Sequence, residues 1–125
     1  MTDGDAPYHA HIYAEGHERE AAVRLQALYA SMPEALFVGR LTEGKAGPHP
    51  IPQFEVHFLA RDHDVIVQAL EKSGLRSLVH PLTDDDMADH TELGTWYGEP
   101  VDLDLTTLDP PGVNQGVARF GKSDF

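Results

Sequence analysis

A two-layer α+β sandwich, with two helices on one face of an antiparallel sheet, is the fold this sequence predicts. Three observations carry it. Segments that alternate in polarity exchange with segments repeating at helical spacing, in the order β-α-β-β-α-β. In the first and third strand segments Ile, Val and Phe fall on one side, as in a sheet with one face packed against helices. The 125 residues hold no internal repeat and no second-domain boundary, and that length suits one core. Together these give a ferredoxin-like βαββαβ arrangement with short extra strands at the C-terminal end.

Each element has its own reason. Tyr8–Ala14 (YHAHIYA) alternates and reads as a first strand. From Gly16 the period changes: Ala21, Leu25, Leu28 and Met32 recur at helical spacing, Ala22 and Tyr29 widen the stripe, and Pro33 stops the helix. Ala35–Thr42 (ALFVGRLT) is a second strand, and Glu43–Pro52, with three prolines and two glycines, is a loop. Gln53–Ala60 (QFEVHFLA) is a third strand. Asp62 is placed to cap a second helix through Val65, Ile66, Ala69 and Leu70, which ends where Gly74 can turn left-handed. Leu75–His80 is the fourth strand. Thr83, followed by Asp84, Asp85 and Asp86, predicts a capped helical turn or two reaching about Leu93. Thr95–Tyr97 and Val101–Leu105 read as short edge strands. Pro, Gly, Asn, Gln and Ser dominate from Asp109, so the single domain 1–125 is expected to have its core at about 8–108 and a loosely ordered tail over 109–125.

Alternation assigns the faces. Tyr8, Ala10, Ile12 and Ala14, with Phe54, Val56, Phe58 and Ala60, form the side that packs beneath the helices. His9, His11, Tyr13, Gln53, Glu55 and His57 fall on the other side, expected to be an open face. First and third strands are neighbours in this topology, so these groups gather. The fourth strand flanks the first and brings His80. Tyr13, Leu59, Trp96 and Tyr97 would then leave an apolar patch, from which we expect a homodimer covering part of that face.

Composition removes whole classes of function. With 21 Asp and Glu against 9 Lys and Arg the chain carries −12, so no nucleic-acid partner is expected. No apolar run approaches the ~20 residues of a membrane span, and no membrane partner is expected. The first residues, MTDGDAPYH, lack the basic and apolar stretches of a secretion signal; the expectation is a cytoplasmic protein. The absence of Cys excludes disulfides and thiolate chemistry. Glycine-rich phosphate loops, G-x-S-x-G and H-E-x-x-H are also missing.

What remains is imidazole and carboxylate chemistry. The eight histidines are His9, His11, His17, His49, His57, His63, His80 and His90. Neutral imidazole suits Zn, Cu, Fe and Ni, and two His with one carboxylate leave positions open for Fe(II) oxygen chemistry. The pairs His9/His11 and Glu55/His57 point to one side of their strands. Such a face is either solvated or holds a metal, and spacing alone leaves both readings open. His17, at a helix start, and His63, in the first turn of the second helix, are expected to face solvent.

Four segments carry a resemblance. Tyr8–Tyr13, Gly47-Pro-His-Pro50, Leu78–Thr91 (LVHPLTDDDMADHT) and Trp96–Leu105 (WYGEPVDLDL) together resemble the DOPA 4,5-dioxygenase family over roughly Tyr8 to Leu105, the second-to-last being the most specific. The resemblance implies a ferredoxin-like and often dimeric protein. It also implies extradiol opening of a catechol ring by O₂ at a non-haem Fe(II), with L-DOPA the substrate of fungal members. His11, His49, His80 and His90 fall on the family's motif histidines. On this basis His11 and His80 are expected as metal ligands, since neighbouring strands can join them. His49 or His90 is then the third ligand or the acid/base. His9, Tyr13, Glu55, His57 and Trp96 are expected to line the pocket for a small catechol, with Arg40 or Arg76 pairing a substrate carboxylate. The alternative from another class is a non-catalytic ferredoxin-like module for small-molecule binding or dimerisation.

Overall fold

A computed structural model describes residues 3–112 and 120–122. Strands β1 (Pro7–Tyr13), β2 (Phe37–Val38), β3 (Gln53–Leu59), β4 (Ser77–Pro81) and β5 (Thr95–Tyr97) form one antiparallel sheet in the order β2-β3-β1-β4-β5. Helices α1 (Arg19–Ala30) and α2 (His63–Ser73) lie on one face, and α3 (Asp86–His90) follows β4. This is the βαββαβ sandwich with one added edge strand. Among the described residues no helix is long and apolar enough to cross a membrane.

The alternation fills the helix side as expected. Ala10, Ile12, Ala14, Phe54, Val56, Phe58 and Val79 meet Ala22, Leu25, Tyr29, Ile66, Val67 and Leu70 in one core. The Tyr29 hydroxyl donates to Ile66 O at 2.7 Å and ties α1 to α2. The α1 stripe, however, runs through Ala22, Leu25 and Tyr29, while Leu28 is 48% exposed. The helix also starts at Arg19 rather than Gly16, after a 3-10 turn at Gly16–Glu18. Gly74 closes α2 in the left-handed region at φ 73°. Asp62 accepts no capping bond from its side chain, because the 3-10 turn Ala60–Asp62 already feeds the chain into α2.

Three strand expectations are corrected. The second strand keeps only Phe37–Val38 of Ala35–Thr42. Its backbone still bonds β3 through Leu36 N–H to His57 O, Gly39 N–H to Glu55 O and Thr42 N–H to Gln53 O, at 2.8, 2.8 and 2.9 Å. Each step takes one residue more than β3 supplies, so the edge is bulged rather than regular. Val101–Leu105 is not a strand; its Asp104 N–H bonds Pro48 O at 2.8 Å and pins the preceding loop instead. The cap of α3 is Asp85, which accepts from Ala88 N–H at 3.0 Å, and the helix stops at His90.

The largest departure concerns the sheet face that alternation leaves open. His9, His11, Tyr13, Gln53, Glu55, His57 and His80 are all buried. The loop carrying His49, helix α3, and Phe120 cover them from the same chain. Loops rich in Pro and Gly show no periodicity, so nothing in their pattern announces this burial. The face on which the homodimer expectation rests is therefore covered within one chain. Of the expected tail, 113–119 and 123–125 lie outside the described residues. Asp109 and Gly112 bond back to Asp86 and Asp84 at 2.9 and 2.7 Å, and Phe120 sits over the histidine face.

Gly94, between α3 and β5, makes the closest approach. A Cβ there would lie 2.9 Å from Leu78 Cδ1 and 3.1 Å from Asp89 O. We expect Gly94→Ala to destabilise the fold by about 1–3 kcal/mol through overpacking. Urea unfolding would show it as a lowered midpoint, and an unchanged midpoint would refute the close approach.

Candidate metal centre

Strand pairing assembles the site. His9 lies opposite His57 on β3 and His80 on β4, His11 opposite Glu55 and Leu78, and Tyr13 opposite Gln53. Side chains in register on neighbouring strands share a face, so three strands deliver four imidazoles, an amide, a carboxylate and a phenol to one place.

Two covering segments add the remaining imidazoles. Ala46 and His49 exchange backbone bonds at 2.9 Å across a turn containing Gly47 at φ 53°, and this turn drops His49 onto His11 with ring centres 4.1 Å apart. Beside it, Thr83 donates its hydroxyl and its N–H to Asp89 at 2.6 and 2.9 Å, which folds the segment before α3. That places His90 with its ring centre 4.3 Å from His80.

The hydrogen bonds decide which ring nitrogens are bare. His80 Nδ1 is 2.8 Å from Pro81 O, and His90 Nδ1 is 2.8 Å from Asp86 O. A carbonyl oxygen only accepts, so both Nδ1 atoms carry the proton and both neutral rings present a bare Nε2. His11 Nδ1 faces Gln53 Oε1 at 3.0 Å, which assigns the same tautomer. A proton held behind the ring and a lone pair in front is the arrangement of metal-binding histidines. His11 Nε2 then lies 3.0 Å from His80 Nε2. His9 adds a buried Nε2 that has no hydrogen-bond partner among the described residues.

Burial also holds His9, His11, His49 and His80 neutral. It pushes His9, His11 and His49 well below the ordinary histidine range, helped by the neighbouring imidazoles, and lowers His80 to about 3. Asp86 also ends below its usual range: burial works the other way, but its bond to His90 and the Asp109 N–H outweigh it. Tyr13 is raised by burial and keeps its proton; its oxygen is 2.7 Å from His49 Nδ1.

Three groups place ligand atoms within 4.8 Å of one another: His9, His11 and His80; His11, His49 and His90; and His9, Glu55 and His57. The first two fit a metal, having neutral imidazoles that converge on His11. The third does not. Gly121 N–H donates to His57 Nδ1 at 2.9 Å, so the proton of neutral His57 sits on Nε2, 3.4 Å from Glu55 Oε1. His57 thereby turns an N–H rather than a lone pair toward that carboxylate, and it is stacked 3.8 Å from His9 and covered by Phe120 at 5.6 Å.

Every histidine expected at the site is brought to it. Trp96 is half-buried and stacks on Tyr13 at 5.9 Å. Arg40 is exposed and Arg76 is engaged with Glu15 and Glu18 at 3.3 and 3.5 Å, so neither supplies the expected carboxylate contact in this arrangement. His17 is exposed as expected, but His63 is half-buried against Tyr8, ring centres 5.9 Å apart. Sequence reasoning gives no role to Gln53, Asp86 or Phe120–Gly121. Alternation does place Gln53 on the right face, whereas no local signal connects Gly121 to a histidine 64 residues earlier.

A model of the Dopa 4,5-dioxygenase family matches residues 8–107. A DOPA 4,5-dioxygenase of Amanita muscaria is 30% identical over 113 residues, covering 81% of this chain and 49% of its own length. An uncharacterized 21.2 kDa protein of Botryotinia fuckeliana is 31% identical over 115 residues, covering 81% of this chain and 62% of its own. The chain thus spans less than two-thirds of either curated relative. A crystal structure from Nostoc punctiforme PCC 73102, of a protein described as a candidate dioxygenase, superposes with a TM-score of 0.77 at 32% identity, covering 86% of this chain and 94% of that one.

The neutral cluster makes the metal-free fold sensitive to acid. Unfolded histidines take up protons near pH 6.5 whereas the buried ones resist, so the unfolded state binds more protons below that value. Stability is then full above about pH 6.5 and falls as the pH drops, by up to about 1.4 kcal/mol per pH unit for each imidazole kept neutral. Urea midpoints of metal-free protein at about pH 7.5 and pH 6 check this, and equal midpoints would contradict it.

Proposed function

The chain belongs to the Dopa 4,5-dioxygenase family, and from that premise we propose that it opens a catechol ring in the extradiol manner, using O₂ and an Fe(II) ion held by His9, His11 and His80. The 3.0 Å between His11 Nε2 and His80 Nε2 carries the reading. Two imidazole nitrogens bound ~2.1 Å from one ion at a right angle lie ~3.0 Å apart, against ~3.4 Å at the tetrahedral angle. At 3.0 Å the two nitrogens are close enough to bind one ion together. His9 supplies the third nitrogen from the same strand as His11, within 4.8 Å of both partners. An ion in this position supplies open sites at which a catecholate and O₂ meet.

The surrounding side chains do the rest. His90 Nε2, bare because its Nδ1 proton is held by Asp86 O, accepts the catechol proton. The Tyr13 hydroxyl can donate to His49 Nδ1, which leaves the His49 Nε2 proton facing the same space as His90. His49 is then the hydrogen-bond donor and His90 the base. Trp96 stacked on Tyr13 gives the aromatic ring of the substrate a wall. The covering loop and α3 exclude bulk water, which keeps the cluster's electrostatics strong. Ring opening beside the two hydroxyls places both oxygen atoms of O₂ in a semialdehyde acid.

The test is oxygen uptake and ring-opened product after anaerobic loading with Fe(II) and addition of a catechol. His11→Ala and His80→Ala are expected to lose both iron and turnover. His90→Ala is expected to keep iron and lose at least ~100-fold in turnover. Exposed His17→Ala serves as the unaffected control. If His49→Ala and His90→Ala lost iron while His9→Ala kept it, the ligands would be His11, His49 and His90. Stoichiometric iron with no catechol consumed would favour the binding-module reading.

A further inference from the structure

We infer that Gln53 is a positioning residue that sets the tautomer of His11, turning its amide to let His11 pair with His80 when no metal is bound and to present a ligand nitrogen when one is. The inference rests on His11 and His80 being metal ligands.

Carbonyl Pro81 O fixes His80 as the tautomer with a bare Nε2. His11 Nε2 faces that lone pair at 3.0 Å in a site from which water is excluded. Two bare nitrogens at this separation repel, so the contact has two stable forms. Either a cation lies against both, or His11 carries its proton on Nε2 and donates it to His80. The second form bares His11 Nδ1, which then needs a donor.

Gln53 is the neighbour of His11 Nδ1, at 3.0 Å. It is fully buried, and its own backbone is clamped by Thr42, whose hydroxyl accepts Gln53 N–H at 3.1 Å. A glutamine amide offers an acceptor at one end and a donor at the other, exchanged by a half-turn of its terminal bond. In the observed orientation Oε1 faces His11, the orientation for a metal ligand, while its Nε2 has no hydrogen-bond partner among the described residues. An amide buried with one end unpartnered is costly unless another state uses that end. Turning the amide supplies the donor that metal-free His11 requires. His11 stays neutral in both states, its proton moving from Nε2 to Nδ1 by exchange, so no net proton is gained or lost there.

Nitrogen-detected NMR of metal-free protein and anaerobic Fe(II) titration test this together. Metal-free wild type is expected to show His11 protonated on Nε2. Gln53→Glu, whose carboxylate only accepts, is expected to show it on Nδ1 and to bind Fe(II) at least as tightly as wild type. Gln53→Met keeps the volume without either end and is expected to bind Fe(II) roughly 10–100-fold more weakly, with the metal-free melting temperature reporting that it folds. A wild-type His11 protonated on Nδ1 without metal overturns the inference even if both variants misfold. Wild-type affinity in Gln53→Met, with affinity abolished in His11→Ala, overturns it while leaving the metal site intact. No Fe(II) binding by wild type refutes the metal reading itself.

Discussion

Burying imidazoles without charging them is the constraint on which this structure turns. A polar ring nitrogen taken out of water costs free energy unless something accepts or donates to it, and a charged one costs far more. Here His9, His11, His49, His57 and His80 are packed on one sheet face with almost no exposure. The groups behind the rings are correspondingly specific: a strand carbonyl behind His80, a helix carbonyl behind His90, an amide behind His11, a phenol behind His49 and a tail N–H behind His57. Remove these and the face would flood or charge. With them it is dry, neutral and rich in lone pairs, which is the state in which imidazole binds a metal.

The same side chain thus does different work on one surface. His9 and His57 are paired across β1 and β3 and stack at 3.8 Å, and His57 has the Gly121 N–H behind its Nδ1. That single donor reverses the tautomer, so the Nε2 of His57 carries a proton where a ligand would need a lone pair. Proximity therefore does not define a metal site here; the direction of the proton does. Carbonyl-type acceptors leave a bare Nε2 on His11, His80 and His90, whether it serves a metal or a proton, and no count of nearby histidines would separate these from His57.

What was legible in the sequence follows from what is periodic. Strand alternation placed His9, His11, Tyr13, Gln53, Glu55 and His57 on one face, and the strand order made β1 the neighbour of both β3 and β4, so the heart of the site could be read directly. Helix positions were clear, but the α1 stripe was offset because Leu28 and Tyr29 are both apolar and only packing chooses between them. β2 is shorter than its sequence pattern because bulges break the ladder within the largely apolar run Ala35–Thr42. The cover was invisible. A Pro- and Gly-rich loop, a five-residue helix and two residues near the C-terminus have no period to betray their inner side.

That division has a physical sense. His9 and His11 stand on a central strand paired on both sides and His80 on its neighbour, so their spacing is set by the sheet and changes little. His49 and His90 stand on a turn closed by Ala46 and on a short helix held by Asp85, Thr83 and Asp89, elements with few apolar contacts of their own. Elements of that kind open at lower free energy than a central strand. On the proposed assignment the ion would rest on the rigid layer and the proton-handling groups on the looser one, so that displacing the cover would not disperse the three ligand nitrogens. A ferredoxin-like sheet has one face that its helices leave bare, and this chain covers that face from within, laying a loop, a short helix and Phe120 over a floor of buried histidines.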